Sequence, residues 1–179
     1  MITEITVKLT PVKTKFILHW GEMGWKWGIN RAVAQVHALL MLSPKPLPAD
    51  EIATTLDMAR SNVSTSLKEL NGWGLVRTVH VFGDRREHFE TLRDVWEMFL
   101  LITRERKRRE LDPTLAALRA CGAESAASKA EDDHTRMRIA ELVEFLELTS
   151  GWADKAQALS PRAAKRLLQL GDKVFRLTE

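Results

Sequence analysis

The sequence predicts a mainly α-helical protein with one small β-hairpin among its helices, and three observations carry that expectation. Apolar residues recur at three- and four-residue spacing along most of the 179 residues, the period of a helix with one buried face. That period fails in one place, where "LVRTVHV" and "EHFETL" gather β-branched and aromatic residues on either side of "FGDRR". Glycine and proline clusters fall between the periodic stretches, where turns belong.

The elements follow in order. Ile5, Val7 and Leu9 alternate, and Pro11 then opens a helix whose apolar stripe is Val12, Phe16, Trp20 and Met23. Gly21, Gly24 and Gly28 in "GEMGWKWG" are expected to break it. A second helix carries Ile29, Val33, Val36 and Leu40 on one side. The three prolines of "SPKPLP" (43–48) stop it, because proline has no N–H to continue the ladder. Asp50 to Leu56 reads as a short helix with Ile52, Ala53 and Leu56 inward. "DMA" (57–59) is a turn, and a helix over 59–71 buries Val63, Leu67 and Leu70. "NGWG" ends that helix at Gly72 or Gly74. The hairpin follows, with Gly83-Asp84 suited to its tip.

Beyond Arg93 the pattern is helical to the end. One helix is expected from about Asp94 to Glu110, and Asp112-Pro113 reads as the cap and first residue of the next. A third helix carries Met137, Ile139, Leu142, Val143, Phe145 and Leu146 and is expected to end at Gly151. Ser160-Pro161 starts a last one, with Leu167, Leu170, Val174 and Leu177. The organisation is then N-terminal helices (1–47), a central segment with the hairpin (48–93) and a helical C-terminal region (94–179).

Composition bounds the function. With 45% hydrophobic and 28% charged residues the chain reads as globular, and no apolar run approaches the ~20 residues of a membrane span. The N-terminus lacks a basic flank followed by an apolar core, so a cytoplasmic location is expected. Cys121 is the only cysteine, so no intramolecular disulfide forms; beside Leu115, Leu118 and Gly122 it reads as a half-buried, inert thiol. No phosphate-binding glycine loop, zinc-ligand spacing or nucleophile motif is present, and His19, His37, His80, His88 and His134 are scattered. No enzyme, catalytic residue, metal or cofactor is therefore expected. The net charge is +3, yet from Pro48 to Arg93 seven acids face six bases. An argument for a polyanionic partner must rest on where the charges sit.

The helix over 59–71 supplies that argument. Opposite Val63 and Leu67 it carries Ser61, Asn62, Ser64 and Thr65, flanked by Arg60 and Lys68. Each Ser, Thr or Asn costs a helix roughly 0.3–0.7 kcal/mol relative to Ala, so the choice needs a reason. Short side chains with both donors and acceptors fit between a helix and the floor of a DNA major groove. Arg60 and Lys68 are placed to contact phosphates. In the hairpin, Asp84 stands beside Arg85 and Arg86, and an arginine there suits the narrow minor groove of A·T-rich DNA. Helix, turn, helix and armed hairpin in this order make a winged helix-turn-helix, with the 59–71 helix and the 82–87 wing as its reading elements.

The segment "GWKWGINRAVAQVHALLMLSPKPLPADEIATTLDMARSNVSTSLKELNGWGLVRTVHVFGDRREHFE" resembles the GbsR/MarR-type transcriptional regulators. The likeness rests on Trp27, Gly28, Asn30 and Arg31, on "LPADEIA", on "NVS" with the "WGLV" that follows, and on the "GDRR" wing. Ala59 stands where the family often has Ser, a natural N-cap. The resemblance implies a homodimer, held together by helices outside the winged domain, that binds double-stranded operator DNA as a repressor. It also implies release or rearrangement by a small-molecule effector in some members. Trp20, Trp25, Trp27, Trp96 and Phe99 are the candidate effector pocket, since aromatic faces hold quaternary ammonium ions. The rival for those five is plain core or dimer seam. "RERKRRE" (104–110) reads as a solvated helix end with Glu105 and Glu110 paired to its own bases. The alternative function is a winged-helix module for protein assembly that binds no specific DNA.

Overall fold

The computed structural model describes residues 7–170, so Ile5, Val174 and Leu177 lie outside the described residues. The chain divides after Met98 into two compact units, and the first takes in both the N-terminal helices and the wing.

In the first unit α1 (Pro11–Lys26) begins with Thr10 as cap, its Oγ1 accepting from the Lys13 N–H at 3.3 Å. Two expectations for α1 fail. Gly21 and Gly24 do not break it, and its buried residues are Ile17, Gly21 and Gly24, while Val12 is exposed. The reason is close packing on α2 (Arg31–Leu42). A Cβ on Gly24 would lie 2.5 Å from the Ala34 Cβ, and one on Gly21 2.7 Å from Gln35 Cγ. Only residues without a side chain let the two backbones approach this far. Gly28, with φ +79, makes the actual turn. Asn30 caps α2 through Oδ1 and the Ala32 N–H at 2.8 Å.

α2 is the central helix. Val33, Ala34, Val36, His37, Ala38, Leu39 and Leu40 are all buried, so it is apolar nearly all round. The strand β1 (Leu47–Pro48), missed in the proline-rich segment, follows it. α3 (Ala49–Leu56) buries Ile52 and Ala53, and α4 (Arg60–Gly72) buries Val63, Ser66, Leu67 and Leu70. Between them Asp57 adopts left-handed backbone, φ 51 and ψ 49, which Asp tolerates better than most residues. That one residue turns the chain so that α4 can cross α3. Gly74 (φ +75) does the same at the other end of α4 and leads into β2 (Val76–His80).

β2 pairs antiparallel with β3 (Glu87–Thr91), and β1 pairs with the other edge of β3 through Leu47↔Phe89 and Pro48↔His88. The sheet order is β1-β3-β2. α5 (Val95–Arg106) starts from Asp94, whose Oδ1 accepts from the Trp96 N–H at 2.8 Å.

The second unit corrects the helix boundaries. No break occurs at Asp112-Pro113. A π-helical turn over Lys107–Leu111 leads directly into α6 (Asp112–Ala127), with the Asp112 N–H bonded to the Lys107 carbonyl five residues back. Proline has no N–H to give, and its ring crowds the carbonyl four residues earlier; the wider turn accommodates both. α7 (Asp133–Gln157) likewise runs through Gly151. It returns along α6, with Arg119 2.7 Å from Glu147 and the Arg136 Nε 3.1 Å from the Ser125 carbonyl. Ser160 caps α8 (Pro161–Gln169). Met137, Leu142, Phe145, Leu148 and Trp152 of α7 are exposed, and so is Cys121, which was expected to be half-buried.

Glu105 is buried and pairs with Arg108 at 2.5 Å and Arg109 at 2.7 Å. Glu110 pairs with Arg106 at 3.2 Å, and Lys107 lies 2.7 Å from Asp112 and 3.0 Å from Asp154. Four of the run's five bases are thus paired, three with its own two acids as expected and Lys107 with acids outside it, although the run lies inside a helical stretch and not at its end.

Candidate nucleic-acid interface

The face of α4 opposite its core residues carries Arg60, Ser61, Asn62, Ser64, Thr65 and Lys68, all exposed. With Val63, Ser66, Leu67 and Leu70 turned inward, the 100° step per residue puts Ser61, Thr65 and Lys68 outermost. Ser66 differs from the other three serines and threonines of the helix in being buried. Ala59 makes no side-chain cap bond, so the first turn of α4 begins directly with Arg60.

The flank of α4 nearest the sheet opens into a groove of about 930 Å³. Arg60, Ser64, Lys68 and Asn71 line it from the helix, and Arg86, Glu87 and Phe89 from the wing. Sequence reasoning missed Asn71. The signal was present, because Arg60, Ser64, Lys68 and Asn71 share one helical stripe at spacings of four, four and three. Asn62 and Thr65 face the other side of α4 from this groove.

The wing departs from expectation in where its arginines lie, while Asp84 does hold one of them. Its tip is the turn Val81–Asp84, closed by the Asp84 N–H to the Val81 carbonyl at 3.1 Å, with Gly83 at φ +83. The arginines lie beyond the tip and have different roles. Arg86 is clamped: its Nε and Nη2 reach Asp84 at 3.0 and 2.7 Å, and its Nη1 reaches Asp50 at 2.9 Å. A longer bond of 3.4 Å joins it to Glu51. Asp84 also accepts from the Arg86 backbone N–H at 3.0 Å. These hydrogen bonds from Arg86 hold the Asp84 carboxyl down to about 2 and raise the guanidinium's own pKa. A single side chain therefore ties the wing to the first turn of α3. Arg85 is exposed and makes no ion pair with any of the described residues, unlike Arg86.

His88, buried beneath this clamp, has Nδ1 3.0 Å from the Arg86 carbonyl and Nε2 3.5 Å from Asp84. His37 Nε2 lies 3.1 Å from Thr91 Oγ1, at the other end of β3. The Thr91 hydroxyl gives its proton to the Leu75 carbonyl at 2.9 Å, so it accepts from His37, whose Nε2 carries the hydrogen. Burial lowers the His37 pKa to about 4.

Trp20 stacks on Phe16 with centroids 5.6 Å apart and lies tilted to His37. Trp25, Trp27 and Phe99 are exposed, and the face of Trp25 is covered by Arg31 at 6.0 Å. Trp96 is half-buried. Among the described residues, no group of three or more His, Cys, Asp or Glu is arranged to hold a metal ion. No helix among them is long and apolar enough to cross a membrane.

Comparisons with known proteins agree with this geometry. Residues 27–87 match the model of the MarR family. A solved structure described as "Crystal Structure of a transcriptional regulator" shares the fold with a TM-score of 0.61. The match covers 82% of this chain and 96% of that one at 21% identity. No curated protein matches. The chain thus has a winged helix-turn-helix fold, and residues 27–87, from the turn before α2 to the wing, are similar to the MarR family.

Proposed function

We propose that the protein is a homodimeric transcriptional repressor that reads an inverted-repeat operator on double-stranded DNA. The observation that carries this reading is the polar outer face of α4, held beside an ordered wing in one compact unit. Ser61, Asn62 and Thr65 are the base-reading residues. Arg60, Lys68 and Asn71 contact phosphates along the groove that they share with the wing. Arg85 enters the flanking minor groove, and Asp84 keeps Arg86 fixed as the strut that sets the wing's angle. The exposed apolar face of α7 is the dimer seam. Two copies related by a twofold axis place their α4 helices about one DNA turn, ~34 Å, apart. Such a protein acts in the cytoplasm on the nucleoid.

The test is selection of bound fragments from genomic DNA by the full-length protein, followed by affinity measurements over a range of salt. A shared inverted repeat and an affinity that falls steeply with salt are expected. Thr65→Ala and Asn62→Ala lose discrimination between operator and random duplex, by about 1–3 kcal/mol each. Lys68→Ala weakens both duplexes alike and flattens the salt slope by about one. No enriched sequence, with a salt-insensitive interaction, would assign the wing to protein assembly instead.

A further inference from the structure

Phe82 stands at the outermost point of the wing and touches nothing; its relative exposure is 106%, the highest of any large apolar residue described. Val81 beside it is also exposed. The turn that carries them is not loose. It is closed by the Asp84-to-Val81 hydrogen bond, bent at Gly83, and pinned at its base by the Asp84–Arg86–Asp50 contacts. An aromatic ring is thus presented to solvent on a rigid mount, in the same unit as the polar face of α4. The nearest side chain with positive charge to spare is Arg85, because Arg86 is already neutralised by carboxylates.

We infer that Phe82 is a wedge: it enters the minor groove beside the major-groove site, partly unstacks one base step and bends the duplex, while Arg85 anchors the wing to that groove. This inference rests on the DNA-binding reading above. Its chemistry is that of apolar side chains inserted between base steps, which kink DNA toward the major groove and expose more of it to the protein. A ring suits this role better than a second arginine, since a guanidinium gains its energy at the groove's edges and walls and a wedge gains it by replacing base stacking. The preferred step is pyrimidine–purine, which unstacks most easily. Phe82 is therefore a determinant of sequence preference at a position that α4 does not touch.

The experiment uses the full-length protein and the duplex recovered by selection, end-labelled for energy transfer, with 2-aminopurine placed at successive steps outside the α4 site. Wild type is expected to shorten the end-to-end distance and to raise 2-aminopurine fluorescence at one step in each half-site. Phe82→Ala keeps the α4 footprint, loses most of the bend and the fluorescence signal, and binds about tenfold more weakly. Phe82→Leu keeps an apolar wedge and restores much of the bend. Arg85→Ala weakens binding but leaves the bend in what still binds. Thermal melting of Phe82→Ala should match wild type, because the ring has no contacts to lose. A Phe82→Ala protein that bends the duplex as wild type does, or a wild type that binds without bending, overturns the wedge and leaves the DNA reading intact. A wild type that binds no duplex at low salt overturns both.

Discussion

His37 sits in the core with its Nε2–H given to Thr91, and its ring stays neutral because a charge there would be stripped of water. The consequence for stability has a definite sign. The unfolded chain takes up a proton near pH 6.5, while the folded protein resists until about pH 4. The unfolded state therefore binds more protons between those values, and stability falls as pH drops through that window. The effect is fully absent above it and reaches on the order of 3 kcal/mol at the lower end. Denaturant midpoints taken at pH 7, 5.5 and 4.5 should show this loss, and His37→Gln should remove most of its pH dependence. A wild-type midpoint that stays flat from pH 7 to 4.5 would rule out the assignment. The Asp84–Arg86 pair adds no pH dependence within this window. Its carboxyl is held ionised down to about 2, so the wing clamp persists where His37 has already charged.

α1 and α2 show how two helices are joined by what is missing from one of them. Gly24 costs the helix about 1 kcal/mol of propensity relative to Ala. A methyl group there would meet Ala34 at 2.5 Å, and such overpacking costs typically 1–3 kcal/mol. Packing wins, so Gly24→Ala should lower stability. Gly151, in the middle of α7 with nothing near its Cβ position, should do the reverse. Gly151→Ala is expected to raise stability by up to about 1 kcal/mol, and paired thermal melts of the two variants would check both signs. These glycines also explain what could be read from the sequence and what could not. The α4 core of Val63, Leu67 and Leu70 was legible, because a one-sided helix repeats its apolar residues every turn. So were the strands at 76–80 and 87–91, from the β-branched and aromatic residues gathered there. Gly21, Gly24 and Gly151 were misread as breaks, because a glycine that packs or is merely tolerated looks the same in one dimension as one that turns the chain. The Asp112-Pro113 pair looked like a helix start for a similar reason. A proline's dislike of a helix interior is local, and the π-turn that overcomes it is set by residues before it. Within the candidate interface the exposed face of α4 was foreseeable. The separation of Arg85 from Arg86 was not, because it depends on Asp50, which lies 36 residues away from Arg86 along the chain.

At the scale of the molecule, the proposed dimer has a candidate seam on the surface. Phe145, Leu148 and Trp152 lie on α7 at spacings of three and four, exposed, with Met137 and Leu142 nearby. An apolar strip of this kind is unusual on a monomer. Sedimentation at micromolar concentration should find a dimer, and the paired change Leu148→Glu with Trp152→Glu should give a folded monomer with far weaker operator binding. A monomeric wild type would exclude the symmetric reading. The sheet bears on the same question from the other side. Its β1 edge is two residues long, both buried, and one of them is a proline that has no donor to offer. A strand from another molecule finds nothing to continue there. The segment that ends one helix with prolines thus also blunts this edge of the sheet against strand addition. Two folded copies that meet at that edge therefore have little backbone with which to build one continuous sheet.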